Sequence, residues 1–146
     1  MLRGNSPAKI DEKGRLKVPS GFRAFLQETY GSQLFVTSVS GEFVLIYPMP
    51  VWDEKERKLA QVPSALPARN RYFDRVNYFG QAAELDKQGR VLIHSRLRES
   101  ADITGDVDVF GHYDHLRVWN HDRFVARLQR EPFGDEDLEV LAKYGI

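Results

Sequence analysis

Lys13, Arg15 and Lys17 stand within five residues of one another, with Lys9 just upstream. Arginine carries a planar fork of donors that can bond two acceptors at once, either phosphate oxygens or the O6 and N7 edge of guanine. Lysine adds compact charge for phosphate. The same residue types return at Lys87 and Arg90, and Arg3 adds one more cation near the start. A second candidate group is His112, Asp114 and His115, with His121 nearby, which could be read as metal ligands or as an acid–base pair. His-x-x-His on a turn lacks the i, i+4 spacing of a helical zinc site, and no further carboxylate completes it. No Gly-x-Ser-x-Gly, phosphate-binding loop or dinucleotide fingerprint occurs. These histidines are therefore expected to be solvated turn residues, and no catalysis, metal, cofactor or small-molecule substrate is expected.

The basic residues belong to a repeat. Residues 8–23 align without a gap onto residues 83–98, with Ala8/Ala83, Asp11/Asp86, Gly14/Gly89, Arg15/Arg90, Ser20/Ser95 and Arg23/Arg98 identical. Each copy holds an alternating segment, then Asp-x-x-Gly, then another alternating segment, which predicts a β-hairpin whose short loop ends in a glycine at positive φ. In the first copy the strands are expected near residues 7–11 and 15–19. Alternation puts Ala8, Ile10, Leu16 and Val18 on one face and Lys9, Asp11, Arg15 and Lys17 on the other. In the second copy Ala83, Leu85, Val91 and Ile93 face inward, while Glu84, Asp86, Arg90 and Leu92 face out and make a less basic surface.

Behind each hairpin the spacing predicts a short helix, capped by Ser20 or Ser95 and stopped by Gly31 or Gly105. A second hairpin follows: Leu34 to Val39 with Phe43 to Tyr47, and Val107 to Phe110 with Leu116 to Trp119. Pro48 and Pro50 precede a helix carrying Trp52 and Leu59, and Asn120 caps one carrying Phe124, Val125 and Leu128. Between the copies, Ser64 to Phe79 reads as an amphipathic helix closed by Gly80.

The composition fits one globular domain: 146 residues, 42% hydrophobic and 29% charged. A chain of this size can bury roughly 70% of its unfolded surface. With no cysteine there is no disulfide, thiolate nucleophile or iron–sulfur site, and a reducing cytoplasm is expected. The longest apolar run, Phe43 to Tyr47, is far short of the ~20 residues a membrane helix requires, and the opening residues lack a signal-peptide core, so no membrane association or export is expected. Net charge is zero but unevenly spread. Residues 1–23 hold six cations against Asp11 and Glu12, and residues 131–146 hold five carboxylates against Lys143. One basic surface and one acidic tail are compatible with binding an anion at the first of them.

Such hairpins have too little apolar area to stand alone. The economical architecture is mixed α+β and β-rich, with the hairpins of the two halves interleaved about a pseudo-twofold axis and both Asp-x-x-x-Arg turns on a common surface. The aromatic and apolar residues Phe35, Phe43, Leu45, Tyr47, Phe79 and Trp119 exceed what so small a body needs to bury, which points to subunit contacts. The tail from Glu131 is expected to be a solvated terminus.

The paired Asp11-Glu-Lys-Gly-Arg15 and Asp86-Lys-Gln-Gly-Arg90 motifs, with the Val-Pro-Ser-Gly-Phe-Arg, Tyr-Pro-x-x-x-Trp and Val-Trp segments, resemble the MraZ family over about residues 1–128. The resemblance implies two AbrB/SpoVT-like swapped-hairpin units, residues 5–50 and 81–124, in one compact double-psi or half-barrel-like body. Residues 51–80 would supply connecting helices, and residues 125–146 a helix end and acidic tail. It further implies a transcriptional regulator that binds double-stranded DNA at short promoter repeats of the division and cell-wall gene cluster, as a ring-shaped homo-oligomer on the nucleoid. Arg15, Arg90, Lys13, Lys17, Lys9, Lys87 and Arg3 are the DNA-contact candidates, with Asp11, Gly14, Asp86 and Gly89 shaping the turns. The sequence departs from the family pattern at His94, where proline is usual, and at Leu66-Pro67, where asparagine normally caps the helix.

From spacing alone two readings of the arginines stand side by side: contact with nucleic acid, or pairing with Asp11 and Asp86 across their own turns. They are compatible, because the aspartate can orient the arginine. An antitoxin-like interaction module is a third class, although such proteins usually carry one copy and a long disordered tail.

Overall fold

A computed structural model describes residues Met1–Ile146. Strand β1 (Asn5–Lys9) enters the first Asp-x-x-Gly turn and β2 (Arg15–Lys17) leaves it. Helix α1 (Ser20–Thr29) follows, then the hairpin β3 (Gln33–Thr37) and β4 (Val44–Pro48), and helices α2 (Met49–Ala60) and α3 (Pro67–Tyr78). The second half repeats the order with β5 (Gln81–Glu84), β6 (Arg90–Leu92), α4 (Ser95–Ala101), β7 (Asp106–His112), β8 (His115–Asn120) and α5 (His121–Arg130); a last helix, α6 (Asp135–Ala142), ends the chain. No helix is long and apolar enough to cross a membrane.

All strand pairs are antiparallel, in a six-stranded sheet ordered β1-β7-β8-β4-β3-β5 and a two-stranded ribbon β2-β6. The order is unchanged when every strand is exchanged for its counterpart in the other half. β1 lies on β7 and β5 on β3, while β4 pairs with β8 and β2 with β6 across the centre. The expected first hairpin is thus confined to its tip. Asp11 N–H donates to the Arg15 carbonyl at 2.9 Å and an isolated bridge joins Ile10 to Leu16, after which the strands part into different sheets. β1 is an edge strand, where Pro7, having no N–H, leaves no ladder bond unmade.

Alternation along the central strands sorts the core. Val44 and Ile46 of β4, with Leu116 and Val118 of β8, enter a 20-residue cluster that also holds Leu16 and Val18, and Val91 and Ile93, from beneath the ribbon. On the opposite face of the sheet, Leu45 and Tyr47 pack with Trp52 of α2 and Val76 of α3. Thr37 Oγ1 donates to the Val76 carbonyl at 2.7 Å and ties α3 to that face.

Four expectations need correction. Ser20 and Ser95 are the first helical residues rather than caps. The carbonyls that accept the first helical bonds belong to Pro19 and His94, neither of which makes a side-chain cap. Helix α4 is stopped by Asp102, not Gly105: Asp102 takes φ +53°, a left-handed conformation that aspartate tolerates. The connecting helix starts at Pro67, whose fixed φ suits a first helical position, instead of at Ser64. The aromatic surplus is absorbed within the chain. Leu45, Tyr47, Phe79 and Trp119 are buried, and half-buried Phe35 and Phe43 stack on Trp52 and Trp119 at ring separations of 4.7 and 4.6 Å. The large apolar residues left exposed include Leu128, Phe133 and Leu138 near the C-terminus; α6 is helical but exposed at every residue except Leu141. As read from the sequence, Asn120 caps α5, its Oδ1 accepting from Arg123 N–H at 3.0 Å.

Candidate nucleic-acid interface

Each Asp-x-x-Gly turn is closed by its own aspartate. Asp11 Oδ1 accepts from the backbone N–H of Lys13 at 3.0 Å and of Arg15 at 2.9 Å, and Oδ2 accepts from Arg15 Nε at 2.8 Å. Asp86 repeats the pattern with Gln88 N–H, Arg90 N–H and Arg90 Nε at 2.9, 2.8 and 2.9 Å. Gly14 and Gly89 complete the turns at φ +84° and +75°, which other residues rarely adopt. Both carboxyls are held below the ordinary value of 3.8, chiefly by the N–H of Arg15 or Arg90; desolvation opposes this, and the arginine side chain and a second backbone N–H add to the lowering. The aspartate therefore stays ionised and fixes the arginine through Nε. Both Nη nitrogens of Arg15 and Arg90 make no hydrogen bond within the protein.

The ribbon sets where those nitrogens lie. Arg15 stands opposite Leu92, Leu16 opposite Val91, and Lys17 opposite Arg90. Leu16 and Val91 are buried beneath, so period two puts Arg15, Lys17, Arg90 and Leu92 together on the outer face. Arg15 and Arg90 are diagonal neighbours there, at the ~7–8 Å spacing of such pairs. The ladder continues at both ends, where Ile93 N–H donates to the Gly14 carbonyl and Val18 N–H to the Gly89 carbonyl, each at 2.9 Å. Each turn thus abuts the strand of the other half.

Lys13 and Lys87 are exposed in the two turns. Lys9 lies on β1 opposite Asp106, to which its ammonium makes an exposed contact of 3.9 Å that contributes little. Arg3 lies beyond the far end of β1, about 20 Å along the strand from Lys9, beside Gly111, and is not brought to the ribbon.

Two further arginines reach the turns. Arg23 of α1 donates through Nη2 to the Lys87 carbonyl at 2.9 Å, and a β-carbon on Gly89 would stand 2.6 Å from Arg23 Cδ. Arg98 of α4 covers Gly14, where a β-carbon would stand 1.3 Å from its Nη1, while that nitrogen donates to the Ile93 carbonyl at 2.9 Å. Their identity at the ends of the two repeats was the available signal, but their reach into the opposite half is not readable from spacing.

The histidines are occupied elsewhere. His115 is buried rather than solvated: its Nδ1 lies 2.9 Å from Asp114 Oδ1, its Nε2 accepts from Arg117 Nε at 3.2 Å, and Tyr47 stacks on the ring. Burial lowers the His115 pKa and pushes the Tyr47 phenol up to about 12. His121 Nδ1 meets the buried Asp108 carboxylate at 2.5 Å. No group of three or more His, Asp or Glu is placed to hold a metal ion. At the departure site His94, the ring Nε2 lies 3.0 Å from the Phe79 carbonyl and so links α4 to the end of α3.

Comparison with known proteins adds to this geometry. Residues 1–75 and 80–140 match the family described as "MraZ protein, putative antitoxin-like". A protein of Acidobacterium capsulatum named Transcriptional regulator MraZ is 49% identical over 146 residues, covering all of both chains. Its namesake from Koribacter versatilis is 43% identical, again over both full lengths, and one from Acidithiobacillus ferrooxidans is 38% identical over 86% of this chain and 87% of its own. With this coverage, and with both Asp-x-x-Gly-Arg turns built alike about one pseudo-twofold, the chain belongs to the MraZ family.

Proposed function

We propose that this protein is a transcriptional regulator that grips double-stranded DNA with the outer face of the β2–β6 ribbon. The observation that carries the reading is the grouping of Arg15, Lys17 and Arg90 on one exposed two-stranded face, with both arginines held at Nε and presenting their Nη donors outward. A two-stranded ribbon has the dimensions of the major groove, and a bound guanidinium fork can read guanine or hold phosphate. Arg15 and Arg90 are the principal contacts, Lys17 stands opposite Arg90 on the same face, and Lys13, Lys87 and Lys9 serve flanking phosphates. Asp11, Gly14, Asp86 and Gly89 shape the turns, and Arg3 is left outside the direct contact set. Residues 5–50 and 81–124 act as two swapped-hairpin units of the AbrB/SpoVT kind, joined by residues 51–80 and followed by a tail from 125. Family membership supports the rest of the proposal: short promoter repeats of the division and cell-wall gene cluster as the target, a ring-shaped homo-oligomer, and residence on the nucleoid.

Footprinting on the DNA upstream of the protein's own gene tests this. Protection of spaced short repeats, lost in Arg15→Ala and weakened in Arg90→Ala, is the expected result. Absence of any protection at low salt, with a stoichiometric protein partner co-purifying instead, overturns it in favour of an antitoxin-like module.

A further inference from the structure

We propose that Arg23 and Arg98 are positioning residues that act crosswise, each holding the DNA-facing turn of the opposite half, so that the two turns work as one rigid unit. The inference rests on the DNA-contact reading above. Arg23 belongs to the first half, yet its guanidinium bonds the Lys87 carbonyl inside the second turn, and its stem fills the space that Gly89 leaves by having no β-carbon. Arg98 belongs to the second half and fills the corresponding space over Gly14, while anchoring on the Ile93 carbonyl. Ile93 in turn donates its N–H to the Gly14 carbonyl, so Arg98, Ile93 and Gly14 form one connected contact. The arrangement recurs at an offset of 75 residues on both sides of the pseudo-twofold, although the two arginines choose different carbonyls.

The consequence for binding follows from what each turn carries. Arg90 is oriented by Asp86, whose turn contains Lys87 and Gly89. Loosening that turn releases Arg90 without removing it. Arg15 depends in the same way on the turn that Arg98 covers. Neither Arg23 nor Arg98 bonds Arg15, Arg90 or their aspartates. Their effect is therefore on orientation, and it crosses from one half to the other.

The test substitutes Arg23→Met, which keeps an apolar stem over Gly89 and removes the donors, and Arg98→Met, which removes the guanidinium that covers Gly14, alone and combined with Arg15→Ala or Arg90→Ala. Each single Met variant should weaken promoter DNA binding by about tenfold, the usual loss for a hydrogen bond to a charged group. Arg23→Met should add little to Arg90→Ala but should multiply the loss of Arg15→Ala; Arg98→Met should show the reverse pairing. Arg23→Lys, which restores charge without the fork, should recover less than half of the lost affinity on a logarithmic scale. Amide hydrogen exchange on the DNA-free protein supplies a readout independent of binding: Arg23→Met should speed exchange at Gly89 and Arg90, and Arg98→Met at Gly14 and Ile93. Multiplicative losses with both arginines together with full rescue by lysine would make Arg23 and Arg98 direct phosphate contacts, and unchanged exchange at the opposite turn would remove the brace; either result overturns the proposal. If the wild type bound no DNA while the crosswise exchange pattern held, the DNA reading would fail and the brace would stand.

Discussion

Lys17 stands directly opposite Arg90 in the β2–β6 ribbon. Like charges facing one another across strands are destabilising, and the only carboxylate bonded to either of them is Asp86, on Arg90 Nε. The pair therefore has more positive charge than the fold alone requires, and an anion on the outer face would relieve it. Lys17→Gln should leave the melting temperature unchanged or slightly raised in low salt, because it removes repulsion. It should also lower the slope of log affinity against log salt by about 0.9, the contribution of one phosphate contact. Thermal melting beside fluorescence anisotropy over a salt series checks both. An unchanged slope would take Lys17 out of the interface.

Arg15 and Asp11 are bonded to each other but do not share the same burden. Arg15→Ala removes one Nε bond between two partly exposed side chains, so stability should stay within the ~0.5 kcal/mol usual for surface changes, while DNA affinity falls by ~1–3 kcal/mol per contact. Asp11→Ala removes the acceptor for two backbone N–H groups as well as for Arg15, so it should cost more stability than Arg15→Ala. It should weaken binding less, since the Arg15 fork survives. Both aspartate pKa values are depressed on folding, so the stability they contribute is present above the ordinary value of 3.8 and is lost as pH falls through the lower folded value. Melting and gel shift on the same preparations decide the order. Equal melting losses with intact affinity per folded molecule would leave the turns purely structural.

The histidines give the protein two opposed responses to pH. The pKa of His121 is raised above 6.5, chiefly by its hydrogen bond to Asp108, so its stabilising contribution is complete below 6.5 and is lost as pH rises through the folded value. The pKa of His115 is lowered, chiefly by burial, so its contribution is present above 6.5 and is lost as pH falls through the folded value. His121→Gln should therefore flatten the decline in melting temperature on the alkaline side of 6.5, and His115→Gln the decline on the acid side. A His121→Gln curve parallel to the wild type above 6.5 would remove the Asp108 contact from the stability of α5.

Much of this was legible in the repeat. Asp11, Gly14 and Arg15, with their copies 75 residues on, mark the turns and leave an aspartate–arginine bond as one of two compatible readings, and alternation places Leu16 and Val91 inside and Arg15 and Arg90 outside. Pairing partners were less readable. Ala8 and Ile10 alternate equally well whether β1 lies on β2 or on β7, because alternation fixes which face is buried and not which strand lies alongside. The same limit hid the reach of Arg23 and Arg98. His115 looked like a turn histidine because the Tyr47 ring that covers it comes from the other half of the chain. The aromatic residues stand out as surplus in the sequence because stacking of Phe35 on Trp52 and of Phe43 on Trp119 is fixed only once the chain has folded.

The acidic C-terminal segment tests how far the ribbon's charge acts. Residues 132–146 hold four carboxylates and Lys143, and apart from half-buried Leu141 every one of them is exposed. Deleting them removes almost no buried surface, so the melting temperature should shift by no more than the ~0.5 kcal/mol equivalent of a surface change. The net charge of the chain becomes positive on deletion, and long-range attraction to DNA should rise. Association should accordingly be faster at low ionic strength, with the difference from the full chain closing near physiological salt, where the screening length is about 8 Å. Stopped-flow binding of promoter DNA at two ionic strengths measures this directly. A large loss of melting temperature would show instead that Leu138 and Leu141 cover a surface of this chain or of a neighbouring copy. Identical association rates at low salt would place the acidic segment too far from the ribbon for its charge to matter.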